Sequence, residues 1–71
     1  MTDHHTYKKV EVVGSSKNNI EEAIRNAISE CGKTLENMDW FEVMETRGYI
    51  ENGDVGHFQV TLKVGFRIKG S

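Results

Sequence analysis

Val55-Gly56-His57-Phe58-Gln59-Val60-Thr61-Leu62-Lys63-Val64-Gly65-Phe66-Arg67-Ile68 decides the fold. Phe58, Val60, Leu62, Val64, Phe66 and Ile68 point one way, and His57, Gln59, Thr61, Lys63 and Arg67 point the other. A period of two with β-branched and aromatic residues predicts a strand with one apolar face. Immediately upstream, Glu51-Asn52-Gly53-Asp54 carries Asn-Gly, the dipeptide that supplies the positive φ angles of a tight hairpin. Trp40 to Ile50 therefore forms the strand's hairpin partner. The turn sets the register, because slipping by one residue would turn every side chain to the other face. With Ile50 opposite Val55, Thr46 faces Gln59, Met44 faces Thr61, Glu42 faces Lys63 and Trp40 faces Gly65.

Further upstream, Tyr7 to Val13 alternates as well, with Val10 and Val12 on one side and Lys9 and Glu11 on the other. Gly14-Ser15-Ser16 ends that strand. Ser16 or Asn18 can cap the helix that follows; Asn18 has Glu21 three residues on, close to a capping box. Ile20, Ala23, Ile24, Ala27, Ile28 and Cys31 recur at steps of three and four, one apolar stripe of an amphipathic helix. Gly32 stops it. The predicted fold is α+β: a β-α-β-β chain with a three-stranded antiparallel sheet, the last strand central, and one helix packed on one face.

One helix covers one side of such a sheet. Phe41, Val43, Leu62, Val64 and Phe66 are predicted beneath it. The other face, with Trp40, Glu42, Met44, Thr46, Gln59, Thr61, Lys63 and Arg67, stays open in a monomer. The register also turns Glu45 and Arg47 toward the helix. Either they lie beyond its reach or a bulge shifts them.

The chain has 71 residues, enough for one domain, and we expect residues 1–71 to form it with a core from about 6 to 68. So short a chain buries a modest core and usually needs a disulfide, a metal or oligomerisation. Cys31 is the only cysteine, which excludes an intrachain disulfide and points to a reducing, cytoplasmic compartment. His4, His5 and His57 lack metal-ligand spacing, so no metal is expected. Self-association remains. Met1-Thr2-Asp3-His4-His5 is polar and no stretch is apolar enough to span a bilayer, so neither a signal peptide nor a membrane is expected. A net charge of −2 argues against nucleic acid as a partner.

Candidate chemistry gathers on the open face. Trp40, opposite a glycine, is either packed over that bare position or leaves a flat ring face for another ring. Gln59 offers both a donor and an acceptor, which matches a heterocycle edge bearing a carbonyl and an N–H; alone it is equally a solvated strand residue. Arg47 and Arg67 suit anions or ring carbonyls, or else surface ion pairs. Glu42 and Lys63 are expected to pair across strands, a structural role. Gly14-Ser15-Ser16 precedes a helix but lacks phosphate-loop spacing, so a plain cap is expected. No arrangement of acid, base and nucleophile is evident, and Cys31 lies on the buried stripe where a thiol is usually inert. The protein is not expected to be an enzyme.

Val12-Val13-Gly14-Ser15-Ser16, the run from Lys33 to Val43 containing Asp39-Trp40-Phe41-Glu42-Val43, the Arg47-Gly48 step and the run from His57 to Arg67 resemble the dodecin family. The likeness extends from about Thr6 to Ile68. It implies β-α-β-β subunits assembled as a hollow homododecamer, with flavins bound in pairs at subunit interfaces. By this resemblance the cofactor is FMN or riboflavin. The tryptophan matching Trp40 and its symmetry mate bracket two stacked rings, and the glutamine matching Gln59 bonds to the ring. The arginines matching Arg47 and Arg67 lie in or beside the site, with the aspartate matching Asp39 close by. The implied role is flavin storage, buffering and photoprotection, with electron transfer from the tryptophan quenching the excited flavin. A small flavin-dependent oxidoreductase and a ligand-free structural assembly are the alternatives. Some bacterial relatives carry more basic residues near the helix end and take coenzyme A; Glu30 and Glu36 stand there instead, which speaks against that ligand.

Overall fold

The structure, a computed structural model, describes residues 4–71; the polar start at Met1-Thr2-Asp3 lies outside them. Four elements follow one another: β1 (Tyr7–Ser16), α1 (Ile20–Cys31), β2 (Met38–Glu51) and β3 (Asp54–Arg67). The sheet order is β1-β3-β2 and both pairings are antiparallel, so the alternating strand is the central one.

The covered face forms because small residues let the helix approach. Ala23 and Ala27 of α1 are buried against Val60 and Leu62 of β3, flanked by Val12, Ile24 and Ile28. Val60, Leu62 and Val64 are the largest fully buried side chains, each contributing about 1.5–3 kcal/mol by burial. At Gly14 a Cβ would collide with the Ala23 carbonyl oxygen and the Ala27 methyl. The glycine is therefore a close-approach position, and no feature of an anion loop is needed to account for it.

The helix cap lies one residue beyond Asn18 and three beyond Ser16, the two expected caps. Asn19 is the N-cap, and its side chain accepts a hydrogen bond from the Glu22 backbone N–H at 2.6 Å. Ser16 and Asn18 support the entry instead. Ser16 Oγ accepts from the Asn18 and Asn19 backbone N–H groups, and both side chains donate to Glu22, holding its carboxyl below the ordinary range, Ser16 most strongly. Gly32 ends the helix in a right-handed conformation.

α1 lies over β1 and β3 and leaves β2 uncovered. Phe41 and Val43 point to the helix side as expected, opposite Val64 and Leu62, yet are 48% and 45% exposed. A hollow of about 650 Å³ separates Phe41 from the helix, lined also by Ile24, Ile28, Met38 and Val64. Among the described residues no helix is long and apolar enough to cross a membrane.

The register agrees with expectation at both ends of the hairpin and departs from it in the middle. Ile50 pairs with Val55, Glu42 with Lys63 and Trp40 with Gly65. Between them, irregularities at Tyr49/Ile50 and Val43/Glu45 shift β2 by one residue, so Arg47 pairs with Gln59, Thr46 with Val60 and Glu45 with Thr61. A bulge at Met44 thus turns Glu45 and Arg47 onto the open face and moves Thr46 to the helix side. Two charges escape a half-apolar surface, which is the physical reason to favour the bulge over unbroken pairing.

Candidate site on the open face

Three strands supply the open face: β1 with Tyr7, Lys9 and Ser15; β3 with His57, Gln59, Lys63, Gly65 and Arg67; β2 with Trp40, Glu42, Arg47 and Tyr49. They divide into two groups, one at each end of the strands.

The first group surrounds Trp40. Its six-membered ring lies where a Cβ at Gly65 would sit, and the glycine is buried beneath it. Tyr7 meets the indole edge-on, with centroids 5.4 Å apart. Glu42 accepts from Lys9 Nζ at 3.3 Å and from the indole Nε1–H at 3.4 Å. These two donors, Lys9 first, hold the Glu42 carboxyl below the ordinary range. The expected Glu42–Lys63 ion pair is replaced by Glu42–Lys9, across the central strand, although Lys63 stands opposite in register. So held from below and at its rim, the indole still exposes 37% of its surface. Arg67 stands two residues beyond Gly65, paired with Tyr7, and its Nε–H is buried with no hydrogen-bond partner. Asp39 falls at the irregularity between Met38 and Trp40, unpaired and exposed, beside the hollow under β2.

The second group surrounds Gln59. Arg47 forms an ion pair with Glu45 at 2.9 Å. Tyr49 donates from its hydroxyl to Gln59 Oε1 at 3.1 Å and stacks on His57, with centroids 4.7 Å apart and planes 12° from parallel. Tyr7 and Tyr49 were not among the expected site residues. An aromatic next to an expected site residue in the register was the available signal for Tyr7, whereas Tyr49 is placed beside Gln59 by the irregularity at Tyr49/Ile50.

Trp40 and Gln59 share a face, but they are not neighbours. Gly65 and Gln59 are six positions apart on β3. At the rise of an extended strand that separates them by roughly 20 Å, more than the length of a three-ring heterocycle. Within one chain, then, the structure brings Arg67 to Trp40 and Arg47 to Gln59, and it keeps the two groups apart. Glu30 and Glu36, at the helix end, are exposed and paired with Lys33 and Lys69. Among the described residues no group of three His, Cys, Asp or Glu side chains could hold a metal ion.

Comparison with known proteins places this architecture. The Dodecin family model matches residues 6–69. A curated dodecin from Thermus thermophilus is 51% identical over 63 residues, 89% of this chain and 91% of that protein. The solved dodecin of Streptomyces coelicolor is 48% identical with a TM-score of 0.92, covering 99% of this chain and 100% of its own. That of Streptomyces davaonensis, also 48% identical, has a TM-score of 0.91 and covers 94% of this chain and 98% of its own.

Proposed function

The chain belongs to the dodecin family, and from that premise we propose that it binds FMN or riboflavin between copies of itself in a cytoplasmic homododecamer, storing and buffering the flavin and protecting it from light. The observation that carries this reading is Trp40, seated over Gly65 with ring surface free on the open face. An indole fixed in place stacks on a planar ring at little entropic cost.

The other residues fit the same ligand. Arg67 stands on the same face two residues beyond Gly65, and its guanidinium carries donors suited to a ring carbonyl or phosphate oxygen. Gln59 and Arg47 offer donors for a ring edge at the far end of the face. Because roughly 20 Å separates that end from Trp40 in one chain, a ring touched by both tryptophan and glutamine lies between two subunits. Phe41, beside the hollow, and Val43 are both half exposed and give self-association an apolar surface. Asp39, at the edge of the first group, contributes a rim charge.

A bound flavin supplies a ring that absorbs visible light and accepts an electron. Trp40, an oxidisable side chain, would hold that ring by stacking. The lone, buried Cys31 accords with a reducing compartment.

The test is to denature the purified protein and identify the released chromophore by mass, with light scattering on the native sample. FMN or riboflavin, quenched before release, a mass near twelve subunits and no NADH turnover support the proposal. A protein that is monomeric, or that neither carries nor takes up a flavin, contradicts it.

A further inference from the structure

The Trp40 end of the open face is rich in positive charge. Lys9 pairs with Gly65 in the register, in one row with Trp40, and Lys63 stands opposite Glu42 in the next row. Arg67 lies two residues beyond Gly65 on the same face. Cations suit a ligand that carries carbonyl or phosphate oxygens. They oppose the loss of an electron from the indole among them, because the ring is then left positive. Glu42 offsets that opposition. Its carboxylate lies 3.4 Å from Trp40 Nε1 and 3.3 Å from Lys9 Nζ. A separation of 3.4 Å is long for an N–H···O hydrogen bond, so the carboxylate acts on the indole mainly by its charge. Lys9 first, and then the indole N–H, hold the Glu42 carboxyl below the ordinary range, so it is ionised at neutral pH.

We propose that Glu42 is a positioning residue that makes Trp40 a better one-electron donor, while Lys9 limits the effect by holding the same carboxylate. The negative charge of Glu42 stabilises the positive indole that remains when an electron departs. This rests on the flavin reading above and deepens it. The step moves one electron from the indole to the light-excited flavin ring and then back. No bond forms or breaks and no proton leaves. Stacking by Trp40 sets how tightly the ring is held, and Glu42 sets how readily the excited ring is quenched.

The experiment compares the assembled wild type with Glu42→Gln and Lys9→Met. Glutamine keeps the shape of Glu42 and an acceptor for both partners but removes the charge. Methionine keeps an unbranched stem at Lys9 and removes the ammonium. Emission per bound FMN is read with protein in saturating excess, so affinity does not enter. Glu42→Gln should be brighter by about two- to threefold, and Lys9→Met should be no brighter than the wild type. Equal brightness in Glu42→Gln and the wild type overturns the proposal. So does a rise in both variants, which would make the ion pair a mere clamp on the indole. A second readout needs no flavin. Trp40 is the only tryptophan, so the indole radical formed in ligand-free protein by a photoexcited anionic oxidant, 4-carboxybenzophenone, reports on it alone. Its formation should be about twofold slower in Glu42→Gln. Losing a negative charge speeds the encounter with an anion, and a loosened clamp exposes the ring, so both rival effects run the other way. Formation as fast as in the wild type, or faster, contradicts the proposal. If the wild type takes up no flavin, the flavin reading fails while this second measurement still decides the role of Glu42.

Discussion

The covered and open faces of the sheet share the central strand, yet their side chains work in opposite ways. Toward the helix, β3 presents Val60, Leu62 and Val64, nearly inaccessible and held by shape against Ala23 and Ala27. Toward the open side it presents His57, Gln59, Lys63 and Arg67, each only partly buried. What these meet is directional: a phenol on an amide, an ammonium on a carboxylate, an indole over a glycine. A face held by shape is damaged by volume, and a face held by directed contacts is damaged by losing a partner. Substitutions on the first should cost folding; substitutions on the second should cost ligand.

The largest effect belongs to the covered face. In Gly14→Val the new side chain meets the Ala23 carbonyl and the Ala27 methyl, and backbone cannot yield cheaply. We expect a loss of about 3 kcal/mol, the upper end of overpacking costs. Thermal unfolding should show Tm falling by more than about 10 °C. An unchanged Tm would mean that the helix is free to ride away from β1.

Trp40→Ala tests the open face. Loss of stacking, about 0.5–1.5 kcal/mol, together with the lost burial should weaken FMN at least tenfold, roughly 1.4 kcal/mol, in a fluorescence titration, with assembly retained. Trp40→Phe should bind with intermediate affinity and leave bound flavin brighter, because phenylalanine stacks but is hard to oxidise. If Trp40→Ala unfolds the ligand-free protein, the indole is core and the contrast between the faces collapses. Gln59→Ala comes next, with an expected loss of roughly 1–3 kcal/mol in flavin affinity, from leaving ring polar groups unpaired. Identical affinity in calorimetry would put the amide in water.

Acid should produce the smallest change. Lys9 and then Trp40 depress the Glu42 carboxyl, so its contribution is complete above the ordinary glutamate value and is lost only as pH falls through the lower folded value. Tryptophan emission of ligand-free protein should therefore hold steady down to about pH 4 and change below it. A midpoint above the ordinary glutamate value would reverse the sign of that coupling.

Much of this contrast is legible in the amino-acid order, and the exceptions have separate physical causes. The alternation from Phe58 to Phe66 identifies the central strand, and Asn52-Gly53 places both Ile50 and Trp40 opposite their partners. The bulge at Met44 is silent, because no glycine or proline marks it and methionine suits either face. Met44 and Thr46 are therefore expected on the open face, whereas Glu45 and Arg47 occupy it. The second irregularity, at Tyr49/Ile50 where Gly56 is the extra residue of β3, hides Tyr49 as the neighbour of Gln59. At the helix start Ser16, Asn18 and Asn19 are all capping types, and only backbone geometry selects Asn19. Sharing a face also conceals distance along a strand: Trp40 and Gln59 look adjacent in composition and stand roughly 20 Å apart.

That separation gives the central claim its most direct test: a binding site made by two subunits, Trp40 from one and Gln59 from its neighbour. Trp40→Ala and Gln59→Ala chains are unfolded, mixed and refolded together, and FMN is titrated against the mixture and against each parent. Interfaces that join the two variants pair an intact Trp40 with an intact Gln59, so a tight-binding fraction absent from both parents should appear. A mixture whose titration equals the sum of its parents would place both side chains in one subunit's site and contradict the account.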